Sequence, residues 1–236
     1  MKKIESSQFI KHIYHPSSSR KDKTIILYHG WGSSIKNYVS IAEYFSSLGF
    51  RVILPEIIYH DSRDKLANHF LKEVTQEYFW KTILTSIEEF NLLLEELSVP
   101  EEKVILMGIS MGGFIANGIY AQSNDFAGLI SINSSGSFLV SEKIFREKDQ
   151  RPLMTFEEIN ELKAYDPVRK NVRHSPILLM HGEQDSIISI EGQKDYYKYL
   201  NNVGHTDVAF KAYRDVNHTL TEEMLEYVTQ WLIEKY

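Results

Sequence analysis

The sequence contains no cysteine, which removes disulfides, thiolate metal sites and a cysteine nucleophile from the chemistries open to it. No apolar stretch reaches membrane-spanning length. Positive charge is in deficit: 26 Lys and Arg stand against 32 Asp and Glu, for a formal net charge of −6. With acidic and basic residues interspersed, neither nucleic acid nor an anionic membrane is expected as a partner. Internal repeats and low-complexity tracts are also lacking. The opening MKKIESSQFIKHIYH has no apolar run after its lysines, so a secretory signal is not expected and a cytoplasmic location is. The acceptor-like string Asn217-His218-Thr219 then carries no glycosylation expectation.

What remains is 236 residues, 43% of them hydrophobic. That is enough for one large core, and a single domain over 1–236 is expected. Short apolar runs at Thr24 to Tyr28, Arg51 to Leu54, Val104 to Met107, Ala127 to Ile132, Pro176 to Met180 and Asp207 to Tyr213 read as strands, with a weaker one over Phe9 to Tyr14. Between them lie helical patterns at Asn37 to Leu48, Lys65 to Leu97 in two pieces, Gly113 to Ala121, Glu191 to Asn201 and Leu220 to Lys235. The stripe Phe79, Ile83, Ile87, Phe90, Leu94 and Leu97 should lie against a sheet. Alternation of this kind predicts an α/β fold with a mostly parallel central sheet and helices on both faces. Residues 138–175 interrupt it; charged and without a strand, they predict a small helical cap insert, with a helix starting at the Thr155/Glu158 capping box.

Val104 to Gly113, VILMGISMGG, joins a strand signal to G-x-S-x-G and a helix start. Such a strand-to-helix turn lifts a serine hydroxyl clear of the backbone at the strand's carboxyl end, next to free N–H groups of the helix. Three more loops directly follow predicted strands: His29-Gly30-Trp31, the segment holding Asp185 and the segment holding His218. In a parallel sheet such loops share one edge, so side chains distant in sequence can converge there.

The strings HGWGSS, GISMGG, HGEQD and DVNHT, with chain order Ser, Asp, His, resemble those of the α/β-hydrolases over residues 20–236. Within that superfamily the chain is similar to small single-domain serine esterases of the dienelactone-hydrolase-like and prolyl-oligopeptidase-like branch. True dienelactone hydrolases use a cysteine nucleophile, so their substrate is not carried over.

A serine hydroxyl needs a base within hydrogen-bond reach, and His218 is the candidate; Asp185 would hold that imidazole in the right tautomer. Oxyanion donors would be the backbone N–H of Met111, the residue after the nucleophile, and by resemblance that of Trp31. His205 is a rival base, but it precedes a strand and should lie at the opposite edge. Asp215 and Glu183 are rival acids. His29 and His181 read as loop-shaping residues, while His12 and His15 have ligand spacing but no third ligand nearby. Tyr59, His60 and Asp61 fit either a pocket rim or an ordinary polar loop. This chemistry calls for no metal or cofactor. The expected activity is a carboxylesterase acting through an acyl-enzyme on a small to medium acyl substrate. Aminopeptidase or acylaminoacyl hydrolase activity on the same residues is the alternative, with Glu56 or Glu183 as an amine-binding carboxylate. A non-catalytic binding protein on the hydrolase scaffold is the alternative of another class.

Overall fold

The computed structural model describes residues 9–16, 21–123, 125–170 and 175–236. Its strands are β1 (Lys11–Tyr14), β2 (Thr24–Tyr28), β3 (Arg51–Pro55), β4 (Val104–Ile109), β5 (Gly128–Ile132), β6 (Ile177–Gly182) and β7 (Val208–Tyr213). They form a 7-stranded sheet in the order β1-β3-β2-β4-β5-β6-β7, parallel except for the antiparallel edge pair β1 and β3. Helices are α1 (Val39–Ser47), α2 (Lys72–Glu88), α3 (Phe90–Leu97), α4 (Met111–Gln122), α5 (Phe138–Asp149), α6 (Phe156–Tyr165), α7 (Ile190–Asn202) and α8 (Glu222–Lys235).

β2, β4, β5 and β6 are buried along their whole length, which is why each reads as a nearly continuous apolar run. Alternate residues feed opposite faces of the sheet. Ile26, Ile53 and Leu106 join Phe79, Ile83, Phe114, Ile115 and Tyr196 from α2, α4 and α7. Ile25, Val52, Ile105 and Met107 join Ala42 and Phe45 of α1 and Met224, Val228 and Leu232 of α8. The stripe from Phe79 to Leu97 is buried throughout and belongs to the first of these cores.

Two stretches depart from the sequence pattern. Residues 65–71 are irregular and not helical, because tertiary bonds claim their backbone: the Trp31 indole and the Thr75 hydroxyl both donate to His69 O. The other is α5, whose inward face carries Ser141 and Glu142 beside Phe138, so its burial leaves little apolar periodicity. The capping box that opens α6 forms as the sequence predicts, with Thr155 Oγ1 accepting from Glu158 N and Glu158 Oε2 from Thr155 N. Both α5 and α6 lie between β5 and β6 in the chain, and the end of α6 reaches back along α2, where the Tyr165 hydroxyl bonds Glu88. Among the described residues no helix is long and apolar enough to cross a membrane.

Candidate active site

The turn between β4 and α4 is as tight as the glycine spacing implies. A Cβ on Gly108 would stand 2.0 Å from Gly112 O, and one on Gly112 would stand 2.1 Å from Tyr28 O. Neither position tolerates a side chain. Ser110 itself sits at φ 58°, ψ −126°, a conformation L residues rarely adopt. The surrounding packing holds it there, with Ser110 N donating to Ile132 O at 2.9 Å.

Ser110 Oγ lies 2.8 Å from His218 Nε2, and His218 Nδ1 lies 2.7 Å from Asp185 Oδ2. These side chains come from the ends of β4, β6 and β7. The Asp185 side chain is fully covered, whereas His218 is 21% exposed, so the imidazole has access to solvent and the carboxylate has none. Asp185 Oδ1 accepts from the N–H groups of Ile187 and Ile188, each at 2.9 Å. Burial works to raise the Asp185 pKa; hydrogen bonds from His181 and His218 outweigh it and hold the carboxyl well below the usual range. An ionised carboxylate only accepts, so His218 carries its proton on Nδ1 and leaves Nε2 to accept from the Ser110 hydroxyl.

Two asparagines that the sequence reading passed over lock the loops together. Asn217 Oδ1 accepts from Ser186 N at 2.9 Å, tying the loop that holds Asp185 to the loop that holds His218. Buried Asn133, at the end of β5, donates to Thr219 O at 2.7 Å and accepts from Gly182 N at 3.0 Å. Gly182 allows the approach, since a Cβ there would meet Val216 O at 2.4 Å.

The loop after β2 lies against the serine: a Cβ on Gly30 would be 3.2 Å from Ser110 Cβ. Gly30 N–H donates to the Tyr38 hydroxyl at 3.1 Å and Gly32 N–H to His60 Nε2 at 3.0 Å. Between them, the Trp31 N–H makes no hydrogen bond to any described residue. Because His60 Nε2 accepts, its proton sits on Nδ1, 3.0 Å from Ile58 O. Burial pushes the His60 pKa down to about 3, so the ring is neutral at ordinary pH. Asp61 accepts from Ile35 N and pairs with His29 Nε2 at 3.1 Å. Burial pushes the Asp61 pKa up, but His29 and the Ile35 N–H together outweigh it and leave it lowered. His60 and Asp61 therefore brace this loop, while Tyr59 O instead bonds His69, whose ring centroid lies 4.2 Å from that of His60.

Other candidates stand apart from the serine. His205 is at the amino end of β7, on the far edge, with Nδ1 accepting from Asp207 N. Asp215 accepts from Gln184 at 2.8 Å, and Glu183 is exposed on the turn after β6. His181 Nε2 lies 3.0 Å from Ile188 O and 3.3 Å from Asp185 Oδ2, against the loop that holds Asp185. His12 lies on β1 and His15 just after it, and no group of three or more His, Asp or Glu among the described residues is placed to hold a metal ion.

A cavity of about 190 Å³ opens beside Ser110. Trp31, Phe79, Trp80, Phe145, Ile187 and Ile188 form its apolar walls, and Glu142, Lys148, Asp149 and Arg151 add charged groups to its lining.

The sheet order and the serine at a strand-to-helix turn define an α/β-hydrolase, and the chain is a hydrolase of that superfamily. Among curated proteins it is similar to the esterase YjfP of Escherichia coli K12, at 26% identity over 86% of this chain and 84% of that protein. The putative esterase YitV of Bacillus subtilis 168 is 21% identical over 84% and 82% of the two chains. Among solved structures, esterase PE8 superposes with a TM-score of 0.68 at 15% identity, covering 98% of this chain and all of that one, a likeness of fold. The prolyl oligopeptidase family model matches residues 38–235, and the chain belongs to that family.

Proposed function

We propose that the chain is a carboxylesterase that works through an acyl-enzyme on Ser110. The observation that carries this reading is the unbroken hydrogen-bond chain, 2.8 Å from Ser110 Oγ to His218 and 2.7 Å from His218 to Asp185. In the first half-reaction His218 Nε2 takes the hydroxyl proton as Ser110 Oγ attacks the ester carbonyl. The Trp31 and Met111 N–H groups receive the oxyanion, and the buried Asp185 carboxylate balances the imidazolium. Collapse breaks the ester C–O bond, and His218 returns the proton to the leaving alcohol. Water then enters on the same base, attacks the acyl-enzyme and releases the carboxylic acid, restoring the Ser110 hydroxyl.

The relatives' names, esterase and putative esterase, support ester over amide as the substrate bond. An aminopeptidase would need a carboxylate free to take a substrate amine. Glu56 instead accepts from Ser62 N and Oγ, and neither Glu56 nor Glu183 lines the cavity beside Ser110. We assign a small-molecule acyl substrate and a cytoplasmic setting.

A fluorophosphonate probe and p-nitrophenyl acetate test the proposal together. Wild type should label and turn over, and Ser110→Ala should lose both. Equal labelling and turnover in the two proteins, or no labelling of wild type, rejects it and favours a binding protein on the same scaffold.

A further inference from the structure

One wall of the cavity beside Ser110 is a partition shared with a second cavity. Gln76, Trp80, Glu142 and Arg151 line it, and the same four residues line a second, open cavity of about 500 Å³ on the other side, between α2, α5 and α6. Buried Glu142 is the keystone: Oε2 accepts from the Trp80 indole at 2.7 Å, and Oε1 accepts from Arg146 at 2.6 Å and from Arg151 at 2.9 Å. Gln76 also donates to Asp149, another residue lining the cavity beside Ser110, at 3.0 Å, and Lys72 reaches Asp149 O. The insert and α2 are thereby stapled together across a mostly apolar tube whose lining also holds Thr75, Lys148 and Asp149.

We infer that this partition sets the length of acyl chain the enzyme accepts, with Trp80 and the Glu142–Arg151 pair as the specificity-determining residues. The inference rests on the reading of Ser110 as the nucleophile. The tube takes the acyl arm because the leaving oxygen must face the proton on His218 Nε2, and His218 is outside the tube's lining. A space of about 190 Å³ compares with the roughly 150 Å³ that admits a benzene ring in an engineered protein cavity, so a phenyl group or a chain of about four to six carbons fills it. A longer chain would have to part Glu142 from its donors, leaving buried charge unpaired. Removing the indole joins the two cavities and lets the chain pass.

The test is a series of p-nitrophenyl esters from acetate to dodecanoate, with kcat/KM per site titrated by a fluorophosphonate. In wild type kcat/KM should rise about fourfold per methylene up to roughly hexanoate and then fall. In Trp80→Ala the maximum should move to longer chains, and the decanoate-to-butanoate ratio should rise about tenfold or more. Arg151→Ala, in the same partition, should move the ratio the same way by a smaller factor, and it serves if Trp80→Ala fails to fold. A wild-type maximum at decanoate or beyond, or an unmoved ratio in titratable variants, overturns the inference. So does a length limit that follows the alcohol in a series of alkyl acetates instead of the acyl chain. Labelled enzyme with a flat profile sinks the partition alone, whereas unlabelled and inactive wild type sinks the hydrolase reading beneath it.

Discussion

Replacing Asp185 by Asn tests the most specific feature of the site, because the structure dictates how the amide must sit. Ile187 N–H and Ile188 N–H both donate to Oδ1 at 2.9 Å, so the amide oxygen is drawn to that position. The amide nitrogen is then left facing His218 Nδ1, 2.7 Å from the carboxylate oxygen it replaces. A donor there requires a lone pair on Nδ1, which moves the imidazole proton to Nε2, aimed at Ser110 Oγ only 2.8 Å away. The base is lost while the shape is kept. The same wrong-tautomer effect in serine proteases costs about 10⁴ in kcat, or about 5.4 kcal/mol of barrier. Asp185→Asn should show a loss of that order in kcat on p-nitrophenyl butanoate, with fluorophosphonate labelling slowed in parallel and the far-UV circular dichroism unchanged. Asp215→Asn, which touches only Gln184 in this loop, should stay within about twofold of wild type. A loss below about tenfold for Asp185→Asn, or an equal loss for Asp215→Asn, would refute the tautomer argument.

Two further substitutions probe the scaffold. Gly112→Ala drives a methyl to 2.1 Å from Tyr28 O, backbone against backbone, and should cost about 4 kcal/mol or more, read as a large fall in Tm or loss of soluble protein. A variant within about 1 kcal/mol of wild type would show that the elbow relaxes freely. His60 has a folded pKa of about 3 against 6.5 for the free side chain, so its contribution to stability is complete above pH 6.5 and lost as pH falls toward 3. Wild type should therefore lose about 1.4 kcal/mol per pH unit from this group between roughly pH 6 and 4, measured by urea unfolding. His60→Gln, which keeps an acceptor for Gly32 N–H but does not titrate, should be less steep by about that amount and retain kcat far better than His60→Phe. Equal slopes in wild type and His60→Gln would remove the ring from the account.

How much of this was legible beforehand depended on whether a residue's role leaves a periodic or local mark. Strands β2, β4, β5 and β6 announce themselves because burial on both faces demands nearly continuous apolar runs, with Thr24, Ser131 and His181 as buried polar exceptions. The elbow is readable because backbone crowding at Gly108 and Gly112 excludes every side chain. Position after a strand was enough to bring Ser110, Asp185 and His218 to one edge, yet Asp215 and Glu183 shared that position. Only the register of the turn after β6, where Ile187 and Ile188 N–H groups cradle Asp185, separates the acid that reaches His218 from those that do not. Helix α5 was hidden because it turns Ser141 and Glu142 inward. Tyr38, His69, Asn133 and Asn217 were hidden, and the role of His60 was left open, for a different reason. Each works through hydrogen bonds to backbone far along the chain, and nothing in the spacing of polar loop residues encodes such partners.

Those hidden residues share a chemical property that bears on catalysis. The groups that take the Gly30, Gly32, Gly182, His218 and Ser186 N–H donors are a phenol, a neutral imidazole and two carboxamides, none of them ionised. A carboxylate would accept the same bonds more strongly. Placed under Gly32, however, it would set a negative charge beside the Trp31 N–H, where the proposed reaction develops an oxyanion, and in a site with little water that repulsion would be poorly screened. The acidic groups that do bond into these loops, Asp61 and Asp185, each face a histidine, at 3.1 Å and 2.7 Å respectively. Burial of His60 thus has a purpose beyond packing: it keeps the ring unprotonated, so that the loop next to Ser110 is braced by an acceptor that adds no charge of either sign.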